Sequence, residues 1–255
     1  MRLLMTGGSG RLGRELRALL PGVVSPSSAE LDVTDAAQVL DVVSRASPDV
    51  IVHAAAYTDV GGAEQDRARC WAVNVGGTRH VARAANAVGA KLVHISTDYV
   101  FSGETGNYRE EDTPGPVVNY YALSKLVAEE AARAAARHLI LRTSFRPREF
   151  QYPVAFSDVF TGQDYVDVIA PQIALAVAHA AEIEDEVLHI VTERKSVYEL
   201  ARRRRPDVRE GTRAGAGVTL PGDVSLNTAR WQTLRAALTG AGSRDSESQD
   251  SESES

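Results

Sequence analysis

Tyr121 and Lys125 stand four residues apart at the start of an alanine-rich segment. On a helix that spacing puts both side chains on one face. A free phenol, with a pKa near ~10, is a poor acid at neutral pH. A neighbouring ammonium is expected to stabilise the phenolate and lower that value. The pair then reads as a general acid for a nascent alkoxide, with an amine that also reaches ribose hydroxyls. The start of an amphipathic helix explains the same spacing. Thr97 follows the apolar run 91–96, and the carboxyl end of a parallel strand faces the ligand crevice of such sheets. A hydroxyl there can hold a carbonyl oxygen beside the phenol. Ser96 and Thr97 can equally just end a strand.

The third element is Thr6-Gly7-Gly8-Ser9-Gly10-Arg11-Leu12-Gly13. It lies between the apolar run Leu3-Leu4-Met5 and the segment 14–20, which reads as strand, tight turn and helix. A backbone bare at Gly7, Gly10 and Gly13 can approach a pyrophosphate, and the helix behind it offers free N–H groups and a favourable dipole. Glycine turns of this kind also serve packing alone.

These residues need a scaffold to bring them together. Strand and helix patterns alternate over the first 145 residues. The expected strands are 3–5, a short Val23-Val24, 50–54, 91–96 and 139–142. The expected helices are 14–20, 35–46, 63–88 (broken near Asn74 or Gly76-Gly77) and 122–136. Strand–helix units of about thirty residues imply a right-handed, parallel sheet with helices on both faces. The fold class is therefore α/β, a Rossmann-type doubly wound sheet with a small C-terminal substrate lobe. Residues 1–145 form the dinucleotide-binding domain. After Ser144 the pattern weakens through Pro147, then resumes as a helix at 166–181, a strand at 186–191, a helix at 197–205 capped by Ser196, and a last helix at 228–238 capped by Asn227. Residues 146–240 thus read as a reduced lobe with closing helices, interleaved with the sheet. Residues 241–255 are nearly all Ser, Asp, Glu and other polar types, and read as a disordered tail.

Composition narrows the classes. The 255 residues carry a formal charge of −6, 44% hydrophobic and 24% charged residues. Nothing in that balance calls for nucleic acid, and no apolar run is long enough to cross a bilayer. The first residues enter a strand directly, and Cys70 is the only cysteine, so no internal disulfide forms; the expected compartment is the cytoplasm. The six histidines show no metal-ligand spacing, and His53 and His94, inside apolar strands, read as core histidines. The run Arg202-Arg203-Arg204-Arg205 reads as a solvated helix end, and Glu64 as a surface carboxylate. No metal site is expected.

Six segments together resemble extended short-chain dehydrogenase/reductases, most nearly the dTDP-4-dehydrorhamnose reductase branch. They are residues 6–13, Leu31-Asp32-Val33-Thr34-Asp35, His53-Ala54-Ala55-Ala56-Tyr57-Thr58, Val73-Asn74-Val75-Gly76-Gly77-Thr78, Ser96-Thr97-Asp98-Tyr99-Val100-Phe101 and Tyr121-Ala122-Leu123-Ser124-Lys125. The resemblance covers the first 145 residues. It implies an NAD(P)H-dependent reductase of a 4-keto-6-deoxy sugar nucleotide, with Thr97, Tyr121 and Lys125 as the catalytic set. It places Gly7, Ser9, Gly10, Arg11 and Leu12 at the pyrophosphate, and Asp32 and Val33 at the adenine. Ala54, Ala55, Ala56 and Tyr57 would line the groove, with Lys125 on the ribose. Asp98 and Phe145 would join Thr97 at the substrate, and Asn74 would help structurally. No carboxylate follows Val24, and Arg11 can meet a 2′-phosphate, so NADP(H) is favoured and NAD(H) possible. A homodimer is a possible assembly.

The chain also departs from that pattern. Phe145 stands where a tryptophan is common, and the span between Ser144 and residue 166 is shorter by some tens of residues. Tyr99 replaces the Glu that related dehydratases carry after Thr-Asp, which argues against water elimination. The reduced lobe leaves two alternatives: a non-catalytic NAD(P)-binding regulatory or scaffold subunit, and a sugar-nucleotide epimerase.

Overall fold

In the computed structural model, residues 1–250 are described, with side chains to residue 240. The elements run β1 (Leu3–Thr6), α1 (Arg11–Leu19), α2 (Ala36–Ala46), β2 (Val50–His53), α3 (Val60–Gln65), α4 (Arg67–Trp71), α5 (Gly77–Val88), β3 (Lys91–Thr97), α6 (Tyr120–Arg133), β4 (His138–Thr143), β5 (Phe145–Arg146), β6 (Val154–Phe156), β7 (Phe160–Thr161), β8 (Asp164–Tyr165), α7 (Val166–Ala178), β9 (Val187–Ile190), β10 (Lys195–Ser196), α8 (Val197–Arg202), β11 (Arg209–Gly211) and α9 (Ala229–Asp250).

The central sheet is parallel throughout, in the order β1-β2-β3-β4-β9. Its strands are buried without alternation, every residue of β2 and β3 included, as a sheet covered on both faces requires. The expected strand at Val23-Val24 is reduced to one bridge, Leu4↔Val24, on the outer side of β1. The chain therefore reverses direction across the sheet at β1, directly beside the glycine turn. One core packs α1 and α7 on one face, with Leu12, Leu16, Ile169, Ile173 and Trp231. The other packs α2 and α5 on the opposite face, with Val39, Val43, Val81 and Ala85.

The long expected helix 63–88 is α3, α4 and α5, with a π-helical segment Ala72–Gly76 inserted around Asn74. Such wide turns redirect side chains and recur at functional sites. Helix α6 is capped twice. Asn119 Oδ1 accepts from the Ala122 N–H at 2.9 Å, and Glu64 Oε1 accepts from the Tyr120 N–H at 2.7 Å.

The segment after β4 is more ordered than its composition suggests. It forms three two-stranded ribbons, β5·β8, β7·β10 and β6·β11. Phe150, Ala155, Val159, Tyr165, Val197, Leu200, Ala201 and Val208 make a small second core beneath them. Strands of two or three residues carry no readable period, so the sequence gives no sign of them. Ser196 caps α8 in a full capping box with Glu199. The last helix, expected to stop at residue 238, continues to Asp250 and so enters the stretch read as a tail; residues 251–255 lie outside the described residues. That extension is helical despite a polar sequence with no apolar stripe to bury.

Candidate active site

The glycine turn is a cradle that side chains would fill. A Cβ on Gly7, whose φ is +76°, would lie 2.5 Å from the Ala55 nitrogen; one on Gly13 would lie 2.3 Å from the Gly7 carbonyl oxygen. Glycine is thus required both for the turn and for the close approach of α1 and of the Ala54–Ala55 backbone. Gly10 precedes α1 without any side-chain cap, which leaves the first N–H groups of that helix to an outside acceptor. Ser9 and Arg11 are exposed on the turn, while the Leu12 side chain enters the core. These features fit a dinucleotide pyrophosphate.

The flanks of the groove are fixed by side chains. Val33 is buried against Gly77, where a Cβ would come within 2.9 Å of its methyl group. Asp32 is exposed, and its carboxylate is bound by the Thr34 N–H and hydroxyl. Ala54, Ala55, Ala56 and Tyr57 are half-buried in sequence along the end of β2. Asn74 holds that edge: its Oδ1 accepts from the Tyr57 N–H at 2.8 Å, and its Nδ2 donates to the Tyr57 carbonyl and to Ser124 Oγ at 2.8 Å. Ser124 in turn donates to the Tyr121 carbonyl at 2.7 Å. The π-helical turn thereby ties the groove to the helix of Tyr121 and Lys125, a link that only Asn74 hinted at in the sequence.

Thr97 and Tyr121 meet at the carboxyl end of β3. The Thr97 hydroxyl lies beside the Tyr121 phenol, and the Tyr99 ring stands edge-on to Tyr121 at 6.3 Å between centroids. Burial dominates the phenol and pushes its pKa above the ordinary tyrosine range, with the Thr97 hydroxyl opposing and Asp98 adding to the rise. The expected lowering by Lys125 is therefore corrected. The Lys125 amine is turned beneath the site, where it donates to the Ile95 carbonyl at 2.7 Å and lies 3.3 Å from His94 Nε2. Burial lowers Lys125 to about 8, partly offset by Glu129. Its third N–H remains for another acceptor.

Asp98 lies beneath Thr97. It is 1% exposed, accepting from the Thr97 hydroxyl at 3.0 Å and from the Thr161 hydroxyl at 3.0 Å. Its carboxylate bonds to the Thr97 hydroxyl and so orients Thr97 from behind. Phe145 is half-buried and packs on the α1–α7 core. Deeper still, Glu129 and Arg142 form a bidentate pair at 2.8 and 3.0 Å, and Ser96 donates to the same carboxylate. Glu129 lies four residues beyond Lys125 on α6, so a helical reading extended by one turn finds it.

Other groups singled out in the sequence have partners within the fold. Glu64 caps α6 and pairs with Arg67. Arg203 and Arg204 pair with Glu193 and Asp167. Cys70 is buried against Ser124. No group of His, Cys, Asp and Glu able to hold a metal occurs among the described residues, and no described helix is long and apolar enough to cross a membrane.

The RmlD substrate binding domain family matches residues 1–205. The chain belongs to this family. Among RmlD relatives, dTDP-4-dehydrorhamnose reductase of Mycobacterium tuberculosis is 37% identical over 188 residues, covering 70% of this chain and 57% of that protein. The enzyme of the same name from Aggregatibacter actinomycetemcomitans is 35% identical over 181 residues, or 68% and 61% of the two chains. The chain thus spans about three fifths of the curated relatives it matches. Among solved structures, Bacillus anthracis dTDP-4-dehydrorhamnose reductase in complex with NADP aligns with TM-score 0.82 and 27% identity, covering 91% of this chain and 92% of that one. A hypothetical dTDP-4-dehydrorhamnose reductase of Sulfolobus tokodaii aligns at 0.79 and 34%, covering 91% and 94%. The RmlD-family likeness confirms the α/β Rossmann-type architecture with its parallel sheet.

Buried histidines set the acid sensitivity of this RmlD-family fold. Burial, and then nearby Lys125 or Arg142, hold His53 and His189 down to about 3. His94 lies well below its ordinary value, for burial first and then for Lys125 and His53. Unfolded histidines bind a proton near ~6.5, so below that pH the unfolded state takes up more protons. Each such group then costs about 1.4 kcal/mol of stability per pH unit until its folded pKa is reached. Asp98, raised to about 6 by burial, acts oppositely: it is protonated in the folded state first and stabilises as pH falls from 6 towards ~3.9. Three groups outweigh one. Melting curves from pH 7 to 5 are expected to lose on the order of a few kcal/mol. A flat Tm across that range would contradict the burial of these histidines.

Proposed function

We propose that this chain is an NADPH-dependent reductase of a dTDP-linked 4-keto-6-deoxy sugar. The observation that carries the reading is the Thr97–Tyr121 contact at the carboxyl end of β3, with Lys125 one turn along the same helix. The family and the names of its relatives support it.

The backbone of Gly7, Ser9, Gly10, Arg11 and Leu12 would hold the cofactor pyrophosphate. Asp32 and Val33 would flank its adenine, and Ala54, Ala55, Ala56 and Tyr57 would line its groove. When bound, the cofactor supplies hydride to the keto carbon. Thr97 and Tyr121 hold the keto oxygen, and the Tyr121 proton passes to it as the alcohol forms. Lys125 keeps two bonds inside the protein and offers its remaining N–H to the ribose. Asp98 fixes the Thr97 rotamer. Burial keeps the Tyr121 phenol protonated until a developing alkoxide accepts its proton. NADP(H) is favoured over NAD(H), because no carboxylate stands after Val24 to take the free ribose hydroxyls. A homodimer is compatible with this reading.

Mixing the purified protein with NADPH and dTDP-4-keto-6-deoxyglucose should consume the reduced cofactor, seen as loss of its absorbance. NADH should serve less well. Cofactor binding with no oxidation by this or other 4-keto sugar nucleotides would favour a non-catalytic subunit instead.

The cradle supplies an independent check. Gly13→Ala places a methyl group against the Gly7 carbonyl and Gly8 Cα. Both are backbone atoms, so the turn must move. NADPH affinity is expected to fall about tenfold or more, with about 1–3 kcal/mol of lost stability. Fluorescence titration and melting measure the two. Unaltered affinity would place the pyrophosphate elsewhere.

A further inference from the structure

Arg146, on β5 just past the carboxyl end of β4, lacks a counter-ion among the described residues. Nearby arginines are paired: Arg142 with Glu129, Arg148 with Glu15, Arg203 with Glu193 and Arg204 with Asp167. The Arg146 side chain makes no ion pair and no hydrogen bond among the described residues, and its Nε is buried without a partner. Its guanidinium lies over the rings of Phe150 and Tyr152, at 5.2 and 5.9 Å from their centroids. Aromatic faces orient a guanidinium without neutralising it or using its N–H donors.

Its position adds to this. Arg146 follows Phe145 on β5, and successive residues of a strand face opposite sides. Phe145 packs into the α1–α7 core. Arg146 instead exerts its charge on Tyr99, the ring set against Tyr121, and feels the charge of Asp98. A partly buried charge without a partner is costly unless something supplies the opposite charge. A planar fork with free donors suits phosphate oxygens.

We propose that Arg146 binds the diphosphate of a nucleotide ligand at the catalytic cleft. The inference rests on the reductase reading for the identity of that nucleotide: the diphosphate belongs either to the sugar nucleotide or to the cofactor. The contact belongs to Arg146 itself, the residue next to the Phe145 position at which the sequence placed the substrate.

Binding measurements on the full chain test it without turnover. Calorimetric titration of wild type and Arg146→Met with dTDP and, separately, with NADPH should show one of the two bound about 10- to 100-fold more weakly by the variant. Loss confined to dTDP assigns the diphosphate to the substrate; loss confined to NADPH assigns it to the cofactor. Arg146→Lys, which keeps the charge, should recover part of the loss. Both affinities within twofold of wild type, in a variant with unchanged Tm, would overturn the proposal. Should Arg146→Met not fold, the Arg146 Nε–H resonance of wild type gives the answer: it should shift on adding dTDP or NADPH, and no shift with either overturns the proposal. The two readings fail separately. Wild type that consumes NADPH while Arg146→Met binds normally refutes only the arginine contact. A protein without reductase activity whose dTDP binding depends on Arg146 refutes only the reductase.

Discussion

Tyr121→Phe is expected to lower kcat by about 10²- to 10⁴-fold while leaving NADPH affinity within about twofold. The phenol oxygen is the one atom removed, and the Phe ring keeps its edge contact with Tyr99. Burial holds the phenol protonated well above neutral pH, so it acts as donor over the whole working range. Its proton is needed only as the keto oxygen gains negative charge. The loss should therefore appear in kcat and kcat/KM alike, the signature of an interaction made in the transition state. Thr97→Ala should cost less, because Thr97 holds the oxygen and gives up no proton. The two effects should be far from additive, since the two hydroxyls are neighbours. Steady-state rates with NADPH and a dTDP-4-keto sugar, beside fluorescence binding of NADPH, check all three statements. Turnover undiminished in Tyr121→Phe would remove the phenol from the mechanism.

Much of this arrangement is legible in the sequence because backbone rules enforce it. Gly7 and Gly13 stand where a Cβ collides with backbone, and Thr97 ends a strand whose carboxyl end must face the crevice. The Tyr121–Lys125 spacing follows from helix geometry. What the sequence hides is the direction in which buried polar groups turn. Lys125 shares a face with Tyr121, yet its amine bonds to Ile95 and His94 on the neighbouring strand. Asp98 follows Thr97 directly, yet it points beneath it to Thr161, a residue 63 positions away in the chain. His94 reads as a passive core residue and proves to touch the Lys125 amine. The short ribbons after β4 are invisible for another reason: each depends on a partner strand far along the chain, and neither strand is long enough to show a period.

Glu129→Gln should be the most destabilising conservative change outside the catalytic groups. Glu129 and Arg142 are each 1% exposed, and their bidentate pair joins α6 to β4 directly beneath the Tyr121–Lys125 face. An amide cannot neutralise the guanidinium, which then stays buried beside Phe101 and His189 with an uncompensated charge. Breaking such a pair from one side costs about 3–5 kcal/mol. For a chain of this size that is roughly 6–20 °C in Tm. Replacing both partners, as Glu129→Met with Arg142→Met, removes the stranded charge and should recover much of the loss. The comparison matters because it separates charge from packing: if the double variant melts as low as the single one, volume and not electrostatics holds this layer. A second readout reports on the site. Glu129 supports the proton on Lys125 against burial, so its loss should move the Lys125 pKa below about 8. The alkaline limb of the pH–rate profile of Glu129→Gln should shift to lower pH accordingly. A variant that is destabilised but keeps its pH profile would show that the pair carries the fold and leaves the amine untouched.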